Sequence, residues 1–116
     1  MTDPHVRTHP LLPPRPRALA DLVAYQEGAV VSRTLMDGAG GSVTLFAFAA
    51  GEGLREHTSP YDALVYLVEG EAEVVIAGAS HRVRGGEVIL LPAHEPHALR
   101  AIQPFKMLLV MVRAAR

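Results

Sequence analysis

Histidines in two segments of the 116-residue chain are the side chains best suited to chemistry. The first segment contains His57 and Ser59, and the second contains His94 and His97. Imidazole changes its charge near neutral pH and is the commonest metal ligand, while a hydroxyl both donates and accepts hydrogen bonds. These residue types predict hydrogen-bonded ligand binding, acid–base chemistry or an ion site.

Other kinds of reactive site find little support in the sequence. The chain has no cysteine, which excludes a thiolate zinc site and a cysteine nucleophile. Ser59 lies near His57, but no G-x-S-x-G motif accompanies it. The neighbouring carboxylates of Glu56 and Asp62 are predicted to point away from the face of His57, so paired interior carboxylates are not expected.

The histidines belong to a chain of short predicted strands. Turn-forming residues (Gly, Pro and an Asp-Gly pair) recur every eight to twelve residues between apolar runs. This spacing indicates short strands in an antiparallel sandwich or barrel. Only residues 18–25 could hold a helix. The predicted strands are residues 30–36, 42–49, 54–58, 63–68, 73–77, 80–84, 87–91, 97–101 and 105–113.

Alternation along these strands predicts which side chains share a face. Residues two apart point the same way, so His57 and Ser59 face the same side and Ala63 can join them from the next strand. Met107, Leu109 and Met111 repeat with the same period. This stripe predicts a core, and methionine also lines adaptable ligand pockets.

The N-terminal residues have a different composition. Five of the nine prolines fall in the first 16 residues, and proline removes amide donors and restricts φ. We therefore predict an extended arm over residues 1–17 and a β-barrel domain over residues 18–116.

Charge and hydropathy limit the partners and the location. Eleven basic and 12 acidic residues give a net charge of -1, which lacks the basic patch expected of a nucleic-acid binder. Apolar runs such as residues 88–91 and 107–112 are too short to cross a bilayer. The start of the chain lacks an apolar signal region, so we expect no membrane partner and a cytoplasmic location.

Some predicted strands are apolar on both faces. Residues 65–68, 88–91 and 107–112 show this pattern, and in a small antiparallel protein only one face can point into the core. A second subunit is the simplest cover for the other face. We therefore predict a homodimer.

The two histidine segments resemble the two motifs of the cupin superfamily, specifically its small single-domain, RmlC-like members. The first motif reads G-x5-H-x-H-x3–4-E-x6-G, and the second reads G-x5-P-x-G-x2-H-x3-N. The matching residues are Gly51, His57, Gly70, Gly86, Pro92 and His97. The resemblance implies an all-β, double-stranded antiparallel jelly-roll barrel that binds a small molecule inside and is often dimeric.

Departures from the motifs affect the implied metal site. Ser59 and Ala63 stand where the family has its second histidine and its glutamate, and His94 replaces the motif's glycine. The resemblance implies a divalent ion such as Zn, Fe, Ni or Mn, of whose four usual ligands only His57 and His97 remain. His94 is the candidate for a third nitrogen ligand.

Three functional hypotheses follow. The first is a binding module that holds a small molecule through His57, Ser59 and His97. The second is a metal-dependent enzyme of dioxygenase or isomerase type, with the ion on His57, His97 and His94. The third uses one histidine as a general base and needs Asp62, Glu56 or Glu95 to orient the ring.

Overall fold

The structure is a computed structural model that describes residues 6–113. These residues form eight strands: β1 Arg7–Thr8, β2 Val30–Gly38, β3 Gly41–Phe48, β4 Gly53–His57, β5 Tyr61–Ile76, β6 Ala79–Arg84, β7 Val88–Leu91 and β8 His97–Arg113. The prediction of an all-β chain is confirmed. No helix of the described residues is long and apolar enough to cross a membrane.

Two long antiparallel strands, β5 and β8, run through the whole barrel. The first half of β5 and the second half of β8 share one layer with β1, β2, β3 and β7. The remaining halves form the other layer, where β8 pairs with β4 and β5 pairs with β6. Because each long strand belongs to both layers, the sheet closes around a single interior.

Gly70 and Pro104 lie inside these long strands, although the sequence predicted that each separates two strands. The register between β5 and β8 shifts between Leu67 and Ala72, close to Gly70. Gly70 has φ +87°, and a Cβ there would lie 2.0 Å from the carbonyl oxygen of Pro104. The two residues therefore allow the strands to bend from one layer into the other without ending.

The barrel interior is filled by alternate residues of both layers. Val65 and Leu67 meet Val74 and Leu99 in one buried cluster. Phe48 and Phe105 are fully buried and stack with ring centroids 4.3 Å apart. Beyond this packing, a cavity remains inside the barrel where β4 ends and β8 begins.

A second apolar cluster lies outside the barrel, under the N-terminal residues. Leu22 and Val23 pack with Leu45 and Ala47 of β3, and residues 11–12 lie against the same cluster. The segment predicted to allow a helix forms only one 3-10 turn, Leu19–Leu22.

Polar contacts attach this segment to the sheet. Lys106 Nζ donates to the carbonyl of Ala20 at 2.7 Å, and the Tyr25 hydroxyl donates to Glu69 Oε2 at 2.8 Å. Burial raises the pKa of Tyr25, and the hydrogen bond to Glu69 raises it further.

The predicted boundary between an arm of residues 1–17 and a domain of residues 18–116 stays a prediction. Within the arm, β1 pairs only with β2, at the edge of the layer, in agreement with the exclusion of a central strand there. Residues 1–5 and 114–116, the two ends of these predicted segments, lie outside the described residues.

Candidate functional site

His57 and His97 lie opposite one another on paired strands at the open end of the barrel. His57 is the last residue of β4 and His97 the first residue of β8, and the two are direct register partners. The register between β4 and β8 shifts between Leu54 and His57, just before the histidine pair. The sequence places both histidines beside turns, and the strand pairing brings them together across 40 residues.

The two imidazole rings face each other through their Nε2 atoms, which are 3.2 Å apart. Each Nδ1 lies near a backbone carbonyl two residues earlier: that of Arg55 at 2.8 Å for His57, and that of Glu95 at 3.1 Å for His97. A carbonyl oxygen only accepts, so each Nδ1 must carry the ring's hydrogen. In the neutral rings both Nε2 atoms are then acceptors directed at one small space.

The two histidines differ in their exposure to solvent. His97 is 5% exposed, whereas His57 is exposed at the mouth of the barrel. Burial lowers the pKa of His97; the carbonyl of Glu95 opposes this effect, and a charge on His57 adds to it. His97 is therefore neutral at pH 7 and above.

The paired rings form one side of a cavity of about 240 Å³ inside the barrel. Its polar lining consists of His57, Ser59, Tyr61 and His97. The rest is apolar and includes Leu54, Ala63, Leu91, Leu99, Met107, Leu109 and Met111. The predicted shared face of His57, Ser59 and Ala63 is thus found, and the methionine stripe forms the floor.

Larger depressions lie on the outer surface of the protein. One of about 540 Å³ is lined by Arg7, Asp37 and Tyr61, and one of about 550 Å³ by Tyr25 and Pro104. Neither is lined by a histidine. The smaller interior cavity combines enclosure with convergent polar groups, which is typical of ligand sites.

Ser59 and His94 occupy different positions relative to the cavity. Ser59 lines it, and its Oγ accepts the backbone N–H of Tyr61 at 3.2 Å, which leaves the hydroxyl hydrogen for another partner. His94 is exposed and does not line the cavity, and it has φ +68° in the loop before β8. The structure therefore does not bring His94 to the other two histidines.

The carboxylates considered in the sequence analysis do not orient the histidine rings either. Asp62 is exposed, and its Oδ1 accepts the backbone N–H of Ala93 at 2.9 Å. The ring-orienting partners are the two backbone carbonyls. The general-base hypothesis thus lacks the acidic partner it needs.

Comparison with known proteins identifies the family. The model of the cupin domain family matches residues 44–112, a stretch that contains both histidines and most of the barrel. The chain is a member of the cupin family. The predicted jelly-roll fold of a small cupin is thereby confirmed.

Solved structures with the same fold include relatives that match this cupin over most of its length. A conserved protein of unknown function from Streptococcus pyogenes is 31% identical over 100% of both chains, with a TM-score of 0.89. A cupin superfamily protein from Desulfitobacterium hafniense is 30% identical over 93% of this chain and 99% of its own, with a TM-score of 0.87.

A further relative is longer than this cupin. A cupin 2 conserved barrel domain protein from Leptotrichia buccalis is 40% identical over 81% of this chain but 46% of its own, with a TM-score of 0.79. The search of curated proteins found no match.

The donor set of this cupin fits part of a metal site. Among residues 6–113 no three histidine or acidic side chains are grouped closely enough to hold an ion. His57 and His97 nevertheless present two Nε2 lone pairs 3.2 Å apart. Two nitrogen ligands of one tetrahedral zinc ion are separated by about 3.3 Å, so the pair fits two positions on an ion.

Tyr61 is a residue of the site that the sequence analysis missed. It lines the cavity, and Arg113 Nη2 donates to its hydroxyl at 3.3 Å. Tyr61 lies two residues before Ala63, so strand alternation places it on the same face. The sequence analysis began this strand at residue 63, so Tyr61 was not counted on its face. The structure shows that β5 begins at Tyr61, directly after Pro60.

Proposed function

We propose that this cupin binds a small molecule inside the barrel, between the histidine pair and the apolar floor. Its ligand contacts are His57, Ser59 and His97, with Tyr61 in addition. We also propose that it is a cytoplasmic homodimer with neither a nucleic acid nor a membrane as partner. Membership of a family with small-molecule-binding barrels supports the first part of this proposal.

The convergence of the two Nε2 acceptors carries the proposal and indicates the kind of ligand. Two acceptors 3.2 Å apart repel each other unless a hydrogen-bond donor or a cation lies between them. A ligand hydroxyl or N–H group supplies such a donor. An ionised carboxylate would add a third set of lone pairs and is disfavoured.

The cavity limits the size and polarity of this ligand. An apolar cavity of about 150 Å³ holds benzene. The cavity of about 240 Å³ therefore has room for roughly ten non-hydrogen atoms, and its floor favours an aromatic or alkyl body. The proposed ligand is a small, neutral, largely apolar molecule that carries a hydrogen-bond donor.

Calorimetric titration with phenol and with benzoate tests this proposal. We expect phenol to bind at pH 7.5 at least about tenfold more tightly than benzoate, because only phenol donates to the two Nε2 atoms. The variant His97→Ala should lose this preference. His94→Ala is the matched control, because it removes an exposed histidine that does not line the cavity, and it should keep the preference.

Two results would contradict the binding proposal. Equal affinity for phenol and benzoate would show that the Nε2 atoms do not select a donor. An unchanged preference in a folded His97→Ala protein would show that the ligand lies elsewhere.

The same Nε2 pair supports a second candidate, a metal-dependent enzyme of dioxygenase or isomerase type. His57 and His97 would hold the ion, and His94 would have to leave its exposed position to become a third ligand. A bound divalent ion would supply Lewis-acid chemistry, or dioxygen chemistry if it is Fe(II). The chain's own groups would position the substrate: Ser59 and Tyr61 by hydrogen bonds, and the apolar floor by contact.

Metal analysis of the untagged protein distinguishes the two candidates. An enzyme of this kind should retain about one equivalent of Zn, Fe, Ni or Mn, or regain it on reloading. Less than about a tenth of an equivalent after reloading would contradict the enzyme hypothesis and leave the binding module.

A further inference from the structure

One row of register partners crosses the inner face of the larger layer, from the cavity to the N-terminal strand β1. Each residue of the row is the direct partner of the next on a neighbouring strand: Leu91, Ala63, Met111, Ser42, Asp37 and Arg7. Direct partners on paired strands point to the same side of the sheet. The whole row therefore faces the side on which the cavity lies.

The polarity of this row changes at Met111. The first three residues line the apolar part of the cavity, and Ala63 among them is 5% exposed. The last three, Ser42, Asp37 and Arg7, are polar, and the side chains of Asp37 and Arg7 are 38% and 82% exposed. The row thus runs from an enclosed apolar interior to a polar surface that is open to solvent.

The polar half of the row lies in the surface depression of about 540 Å³. We call this depression the polar groove; it is lined by Arg7, Asp37, Ser42 and the turn between β2 and β3. Tyr61 and Met111 line both the polar groove and the cavity. The two spaces therefore meet at these two side chains, and a molecule longer than the cavity would extend into the groove.

Two arginines and one aspartate determine the charge of the polar groove. Arg7 Nε donates to Asp37 Oδ1 at 3.2 Å, and its Nη atoms have no hydrogen-bond partner among residues 6–113. Arg113 lies over the ring of Tyr61, with its Cζ 5.7 Å from the ring centroid and its Nη2 donating to the hydroxyl. No carboxylate of the described residues forms an ion pair with Arg113. Asp62 follows Tyr61 but lines neither space, so the groove has a net positive charge.

We propose that the polar groove binds a carboxylate at the far end of the same ligand whose donor group contacts His57 and His97. This inference rests on the proposed function. The part of the ligand inside the cavity is neutral and apolar, and the charged group lies outside it. The ligand class is thereby an elongated carboxylic acid with a hydroxyl or N–H group at its other end.

The arginines of the polar groove have the chemistry that a carboxylate requires. A guanidinium group presents parallel N–H donors that match the two oxygens of a carboxylate. Arg7 offers its Nη atoms for this contact, and Arg113 adds positive charge where the cavity opens into the groove. Because Arg7 belongs to β1, the N-terminal strand contributes a specificity-determining residue to the site.

The position of the carboxylate relative to Met111 decides whether it strengthens or weakens binding. Inside the cavity a carboxylate would lose its hydration against apolar side chains and face the two Nε2 acceptors. The cavity has room for roughly ten non-hydrogen atoms. A carboxylate that follows about ten such atoms therefore lies in the polar groove, where it keeps part of its hydration and meets the arginines.

Calorimetric titration with two pairs of acids and amides tests this proposal. In 4-(4-hydroxyphenyl)butanoate the carboxylate follows about ten non-hydrogen atoms, whereas in 4-hydroxybenzoate it is attached to the ring. We expect the butanoate to bind about threefold to tenfold more tightly than its primary amide at low ionic strength, because ion pairs with exposed arginines are weak but favourable. The order should reverse for the short pair, with 4-hydroxybenzoate weaker than 4-hydroxybenzamide.

Substitution of Arg7 tests where the carboxylate binds. Arg7→Gln should reduce the preference for the butanoate over its amide to less than about twofold, and Arg7→Lys should keep part of it. Both variants should fold, because the side chain is 82% exposed. Arg100→Gln is the matched control: it removes an exposed arginine that pairs with Glu73 at 3.0 Å in the other layer, and it should keep the full preference. Added salt at about 0.5 M should weaken the preference in the wild type.

Each unfavourable result overturns a defined part of the proposal. Equal binding of the butanoate and its amide by a wild-type protein that binds phenol overturns the carboxylate site and leaves the cavity proposal intact. A preference that persists in Arg7→Gln, or that also holds for 4-hydroxybenzoate over 4-hydroxybenzamide, overturns the assignment to the polar groove. A wild-type protein that binds neither phenol nor the butanoate overturns the proposed function and this inference together.

Discussion

Restoring the two missing family ligands should turn the histidine pair into a tight metal site. The double variant Ser59→His/Ala63→Glu places an imidazole and a carboxylate at the positions where the cupin motif has them. Both positions line the same cavity as His57 and His97. We therefore expect four ligands to converge at one point of the barrel.

The expected gain in affinity follows from the number of ligands. Zinc sites with four protein ligands bind with about 10–16 kcal/mol, which averages about 3 kcal/mol per ligand. Two added ligands should therefore contribute about 6 kcal/mol, or about four orders of magnitude in Kd. The wild-type rings are already oriented by the carbonyls of Arg55 and Glu95, so little of this energy is needed to order them.

The same variant should be less stable when no metal is present. Ala63 is 5% exposed and its surroundings include Leu91 and Met107, so a carboxylate there loses its hydration. We expect a loss of about 2–4 kcal/mol in the free energy of unfolding of the metal-free protein. Zinc at about 1,000 times its Kd should return about 4 kcal/mol.

Calorimetric titration with zinc and thermal unfolding with and without zinc measure both effects. Ser59→His/Ala63→Gln is the matched control, because glutamine has the shape of glutamate but lacks its charge. It should bind zinc at least about tenfold more weakly than the glutamate variant. If the folded glutamate variant binds zinc less than about tenfold more tightly than wild type, the side chains at 59 and 63 do not converge on the histidine pair, and the reasoning fails.

Two further predictions concern stability. Because burial lowers the pKa of His97 below its ordinary value of 6.5, the unfolded chain takes up a proton that the folded ring resists. Stability measured by urea unfolding should therefore decrease as the pH falls below 6.5. The decrease should be smaller in His97→Ala, and an identical pH dependence in both proteins would refute this. Gly70→Ala should lower the free energy of unfolding by at least about 3 kcal/mol, because its Cβ would meet the carbonyl of Pro104. Gly78→Ala, at a similar positive φ in open space, should cost only about 1 kcal/mol, and equal losses in the two variants would contradict the corner assigned to Gly70.

The sequence predicted most of the strands but not their continuity. Alternating apolar residues and turn signals are local, so the bounds of β2, β3, β6 and β7 agree with the prediction within two residues. Gly70 and Pro104 were interpreted as strand ends, because both residues usually interrupt a strand. They instead accommodate bends in β5 and β8, and a bend is distinguished from an end only by the strands that continue to pair beyond it.

Residues 18–25, the segment predicted to allow a helix, are mostly not helical in the structure. Only Leu19–Leu22 forms a 3-10 turn, and the chain becomes extended at Val23. In this conformation Leu22 and Val23 are both buried against the sheet. Helices this short have little intrinsic stability, so tertiary packing decides the conformation.

By itself, the sequence determined the all-β fold, the two histidines with ligand spacing and the loss of the other two family ligands. These features depend on residue type and on distances along the chain. Tertiary structure alone decided that the Nε2 atoms of His57 and His97 face each other, that Tyr61 joins the cavity and that His94 stays outside it. The physical reason is that these arrangements depend on pairing between segments about 40 residues apart, which no local pattern specifies.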